Sequence, residues 1–163
     1  MSAWLPAHYA LPFDDTIALE ARARLGDALA EIGADRRVSG RYDLADAAWG
    51  AELLTSELAT NAFLHGRGPV SMSVYEDCGL LFVEMEDGST KVPAPREAAP
   101  EDDGGRGLAL VEALGADWGV DWVPGGKRVW VSIALAAVSS PAVASVPVFD
   151  DDPPTVVLRA VLA

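Results

Sequence analysis

Apolar and polar residues follow two different periods along this chain, and each change of period marks an element. Ile17, Ala21, Leu25, Ala28, Leu29 and Ile32 recur at helical spacing, with Glu20, Arg22, Arg24, Asp27 and Glu31 mostly between them. That pattern predicts an amphipathic helix. Asp14, Asp15 and Thr16 supply its start and Gly33 its end, because short polar side chains satisfy first-turn N–H groups and glycine tolerates the terminal bend. Leu44, Ala47, Ala51, Leu54 and Leu58 mark the buried stripe of a second, longer helix. Asp43 caps it, and it runs to about Leu64 before Gly66 stops it. After the break at Gly68 and Pro69 the period drops to two. Val70, Met72 and Val74 alternate with Ser71 and Ser73, which predicts a half-buried strand. Asp77–Cys78–Gly79 turns the chain, and residues 80–86 form the hairpin partner.

Residues 88–104 are different in kind, with three prolines, a charge run and no periodicity. So long a stretch inside a domain is uncommon and reads as a functional lid or a disordered segment. Residues 105–115 then predict a short helix launched from a glycine-rich turn. Residues 117–123 and 127–136 predict a second hairpin around Pro124–Gly125–Gly126, with Val129, Val131, Ile133 and Leu135 on one face. Before the first helix, residues 9–13 suit an edge strand, where proline is tolerated. The expected organisation is an N-terminal segment (1–13), one domain (14–136) and an Ala/Pro/Asp-rich tail (137–163). The expected architecture is a two-layer α/β (α+β) sandwich, with helices on one face of a mixed, mostly antiparallel sheet. Trp49, Trp118, Trp122 and Trp130 are expected in core or sheet-face packing, with Trp4 set apart near the N-terminus.

Composition narrows the function classes. The chain has 163 residues, half of them hydrophobic, and 25 acidic against 12 basic side chains, for a formal net charge of −13. That apolar content argues against intrinsic disorder. The acidic balance argues against a nucleic-acid partner, whose backbone selects clustered Lys and Arg, and against an anionic membrane surface. The single cysteine, Cys78, excludes an intrachain disulfide and suits a reducing compartment. Residues 1–11 carry neither the basic start nor the apolar core of a secretory signal. No run approaches the ~18 apolar residues that cross a bilayer. A cytoplasmic protein is expected.

The chemistry concentrates in three segments. In residues 52–66, ELLTSELATNAFLHG, Glu57 sits at zero degrees on a helical wheel, Asn61 at about 40° and His65 at about 80°. A carboxylate, an amide and an imidazole thus share a face that also carries Leu54 and Leu58. A polar group set into an apolar stripe is costly unless something binds it. Residues 83–89, VEMEDGS, end a strand on an acid followed by glycine. Residues 103–108, DGGRGL, open a helix with glycines, whose backbone N–H groups can cradle phosphate. Each segment alone is an ordinary satisfied amide, strand exit or helix start.

Taken in order, the segments resemble the GHKL (histidine kinase-like, Bergerat-type) ATPase superfamily, and within it the small bacterial anti-sigma-factor serine/threonine kinases. ELLTSELATNAFLHG is similar to that subfamily's N box. VEMEDGS and GGRGLALVEALGADWGV are similar to its glycine boxes, and GGKRVWVSI to its closing strand. The resemblance spans roughly residues 14–135. It implies an ATP site with Mg²⁺. Glu57 would act as general base, Asn61 as the metal ligand, Asp87 as acceptor for the adenine amino group, and Gly88 as the close approach to the base. Gly104, Gly105, Arg106, Gly107 and Leu108 would hold the phosphates, with His65 and Arg67 near the phosphate end. Two departures stand out. The first glycine box is short, and Lys127 and Arg128 follow Gly126 where the family usually has threonine.

The resemblance further implies an anti-sigma factor with serine/threonine protein kinase activity. Its partners would be a sigma factor and a small anti-sigma-factor antagonist, and it could form a homodimer. The alternative is a non-catalytic module of the same fold that regulates transcription by protein contact only. A histidine-kinase fragment is disfavoured, since neither His8 nor His65 lies on an upstream dimerisation helix.

Overall fold

Two hairpins and an edge strand build the main sheet, and the apolar alternation decides which face the helices cover. The computed structural model describes residues 6–91, 114 and 116–138, apart from the side chains of Arg36 and Arg37. Strand β1 (Ala7–Leu11) leads into helix α1 (Ile17–Ala34). A short helix α2 (Arg36–Ser39) and strand β2 (Tyr42–Asp43) precede the long helix α3 (Leu44–His65). Strands β3 (Val70–Asp77), β4 (Leu80–Asp87), β5 (Asp117–Val123), β6 (Gly126–Ala134) and β7 (Ala136–Ala137) follow. The five-stranded sheet has the order β1-β3-β4-β6-β5, and β2 pairs with β7 in a separate two-stranded ribbon. Every pairing among the described residues is antiparallel.

The fold is the α/β sandwich that the two periods predict. Val70, Met72 and Val74 of β3, Leu81, Val83 and Met85 of β4, and Val131 and Ile133 of β6 are buried. They meet the helical stripes Ile17, Ala21, Leu25, Ala28 and Ile32 of α1 and Ala51, Leu54, Leu58 and Ala62 of α3 in one core. Strand residues of the opposite parity lie on the other face. There Tyr75 donates to Glu84 Oε1 at 2.8 Å and Arg128 Nε to Glu86 Oε1 at 2.8 Å. Burial, then the Glu84 hydrogen bond, push the Tyr75 hydroxyl well above its ordinary range. The first hairpin turns at Cys78 and Gly79, both at positive φ (51° and 82°), as a two-residue type I′ turn requires. The second turns at Pro124–Gly125, with Gly125 at φ 86°, the type II pattern.

Several expectations shift. The edge strand lies at Ala7–Leu11 rather than residues 9–13, because Pro12 has no N–H to extend the ladder. Phe13 instead packs edge-on against Phe63, with ring centroids 5.6 Å apart. Neither α2 nor the β2–β7 ribbon was expected, being too short to carry a period. Trp118 is buried as expected, but Trp49 and Trp122 are 66% and 54% exposed. Trp49 stands two positions from both Ala47 and Ala51, about 200° round the helix from each and so on the face away from the core, and Trp122 lies on the edge strand β5. Trp4, most of the lid, the glycine-rich helix start and nearly all of the tail lie outside the described residues.

Candidate functional site

Helix α3 presents the first part of the site. Asp43 caps it, its side chain accepting from the Ala45 N–H at 2.9 Å. Leu54 and Leu58 are buried against the sheet, and Glu57 and Asn61 flank them half-buried. Glu57 and Asn61 are four residues apart, so they stack on one face about 6 Å apart along the axis. Among the described residues neither side chain has a hydrogen-bond or ion-pair partner. His65 closes the helix and is exposed.

The second part lies where α3 ends against the last residue of β4. Gly66 follows the helix, and a Cβ there would stand 2.8 Å from Asp87 Cγ. Gly88 donates its N–H to Arg67 O at 2.6 Å. A side chain at Gly88 would crowd the carbonyls of Arg67 and Gly68, each at 3.2 Å. A Cβ at Gly126 would be 1.9 Å from Asp87 O, so only glycine lets β6 approach β4 at that rung. Three glycines thus bring helix end, strand end and closing strand together around Asp87.

Asp87 is not free inside that enclosure. Its cross-strand partner on β6 is Lys127, and the two side chains are 2% and 3% exposed. Lys127 Nζ donates to Asp87 Oδ1 at 3.0 Å and lies 2.9 Å from Oδ2, and the Ser89 N–H donates to Oδ1 at 2.8 Å. Both carboxylate oxygens are engaged, and the buried charge is neutralised within the chain.

The structure therefore brings Asp87, Gly88, His65 and Arg67 to the same end of α3. His65, Arg67 and Gly88 line one recess of about 300 Å³, together with Gly66, Ser89, Thr90 and Lys91. His65 and Arg67 lie beside the strand exit assigned to the base. Gly104, Gly105, Arg106, Gly107 and Leu108 lie outside the described residues. Sequence reasoning noted Lys127 only as a departure from a motif. The signal that places it on Asp87 is the β4–β6 register, which no local pattern carries.

The residues fit a magnesium nucleotide in one half of the site and not in the other. Glu57 and Asn61 offer unpartnered oxygen donors of the hard type that Mg²⁺ takes. Asp87, the carboxylate that would accept from an adenine amino group, already has an ammonium and an amide as donors.

No protein-family model matches the chain, and no curated protein matches its sequence. Solved structures do match. The crystal structure of the RsbU and RsbW domains of Rv1364c from Mycobacterium tuberculosis aligns over 81% of this chain with a TM-score of 0.52 and 20% identity. This chain spans about a third of that one, covering 32% of it. The blue-light-activated histidine kinase EL346 of Erythrobacter litoralis matches at 23% identity and a TM-score of 0.43, over 71% of this chain and 42% of that one. Its separate histidine kinase domain matches at 25% identity and 0.44, over 78% and 66%. The Rv1364c likeness is one of fold, and it agrees with the α/β sandwich expected from the sequence.

Proposed function

We propose that the chain is an ATP-binding regulatory protein of the anti-sigma-factor kinase kind, working in the cytoplasm. It would hold a sigma factor and phosphorylate a serine or threonine of a small antagonist protein. The observation that carries this reading is the pair Glu57 and Asn61, half-buried on one face of α3 without partners among the described residues. A carboxylate in that position can take the proton of a hydroxyl as the oxygen attacks phosphorus. An amide one turn on supplies an oxygen to Mg²⁺, whose charge offsets that of the phosphates. Gly88, and Asp87 in competition with Lys127, would meet the base, and residues 104–108 the phosphates.

The test is transfer of labelled phosphate from ATP to a candidate antagonist by the wild type and by Glu57→Ala. The expected result is transfer by the wild type and a loss of 10²-fold or more in the variant, the usual share of a general base. ATP binding without transfer to any of a panel of antagonists would contradict the kinase activity. The second reading, regulation by protein contact alone, is favoured by the engagement of Asp87 with Lys127.

A further inference from the structure

We infer that Lys127 is an internal competitor for the base-reading carboxylate, and that it sets how weakly this site holds a purine. The inference rests on the proposed nucleotide site and deepens it. The register Asp87↔Lys127 fixes the two side chains as cross-strand neighbours. Gly126, beside Lys127, lets the strands close at that rung. The ammonium lies within 3.0 Å of both carboxylate oxygens, in an enclosure where both side chains are almost wholly removed from water. A purine amino group that reached Asp87 would meet a carboxylate whose charge is already matched by an ammonium and whose Oδ1 already accepts twice. The base therefore has to compete with a buried ammonium already paired to the carboxylate, so part of its interaction energy goes into weakening that pair.

This assignment makes a prediction opposite in sign to simple electrostatics. Removing a lysine normally weakens binding of a triphosphate, because a cation is lost. Here its removal strengthens binding, because the cation masks the acceptor. Mg-ATP and magnesium tripolyphosphate are titrated calorimetrically into wild type, Lys127→Thr, Lys127→Gln and Asn61→Ala. Circular dichroism and thermal melts confirm that each is folded. Lys127→Thr is expected to bind Mg-ATP at least tenfold more tightly than wild type, with no gain for tripolyphosphate, which has no base. ATP is expected to raise the melting temperature of Lys127→Thr more than that of wild type. Lys127→Gln keeps a neutral donor of similar reach and serves if the threonine variant does not fold. It too is expected to gain for ATP and not for tripolyphosphate, though by less than the threonine variant, because a neutral donor still holds the carboxylate, less strongly than an ammonium does.

Equal or weaker ATP binding by a folded Lys127 variant overturns the inference, as does a parallel loss for ATP and tripolyphosphate. Neither result touches the nucleotide reading if wild type binds Mg-ATP and Asn61→Ala does not. Absence of Mg-ATP binding in wild type and both Lys127 variants overturns the inference and the nucleotide reading together.

Discussion

At the scale of single residues, the site is divided between groups that are satisfied and groups that are not. Glu57 and Asn61 have no partners among the described residues, whereas Asp87 is paired with Lys127 and accepts from the Ser89 N–H. The buried pair also bears on stability. Leaving one member of such a pair uncompensated costs about 3–5 kcal/mol. Asp87→Ala is accordingly expected to lower stability by that order in urea melts, while Asp87→Asn with Lys127→Gln, a neutral hydrogen-bonded pair, recovers most of it. No recovery in the double variant would mean that the charges themselves are required. Glu57 and Asn61 were legible in the sequence because helical spacing places them beside Leu54 and Leu58. The Asp87–Lys127 pair was not, since it joins residues forty positions apart through a strand register.

At the scale of elements, α3 is the frame of the site. Its N-terminus is held by the Asp43 side chain, and its C-terminus abuts Asp87 through Gly66. Asp43→Ala is expected to cost about 1 kcal/mol, the usual value of such a cap. A change below a few tenths would show that tertiary packing alone holds that end. The start of α1 adds a pH-dependent element. The Thr16 hydroxyl and then the Thr16 N–H, both hydrogen-bonded to Asp14, hold its carboxyl below the usual 3.8. A carboxyl with a lowered folded pKa stabilises the fold above its unfolded value and loses that contribution as pH falls through the folded one. The melting-temperature difference between wild type and Asp14→Asn is therefore expected at neutral pH and shrinks below about pH 4. A difference that persists unchanged into acid would rule out the carboxylate as its source. Period and turn chemistry made α1, α3 and both hairpins readable. They could not reveal α2 or the β2–β7 ribbon, whose few residues are fixed by tertiary contacts and not by any repeat.

At the scale of the molecule, a formal charge of −13 accompanies one helix-covered sheet. No helix among the described residues is long and apolar enough to cross a membrane. Acidic groups cluster in the lid sequence at Glu97, Glu101, Asp102 and Asp103 and in the tail at Asp150–Asp152. If these charges draw a basic region of a sigma factor, association weakens as salt screens them. The expected loss is several-fold in association rate between about 0.05 and 0.5 M salt, and a salt-independent rate would exclude charge as the basis. The exposed Trp49 and Trp122 show where residue type misleads at this scale, because burial depends on which helix face and which sheet edge the whole fold covers. The most direct test of the central claim, that α3 carries a magnesium–nucleotide site, is a calorimetric Mg-ATP titration of wild type and Asn61→Ala. Weak, magnesium-dependent binding is expected of wild type, and its loss in the variant. Equal heats from the two proteins would contradict it.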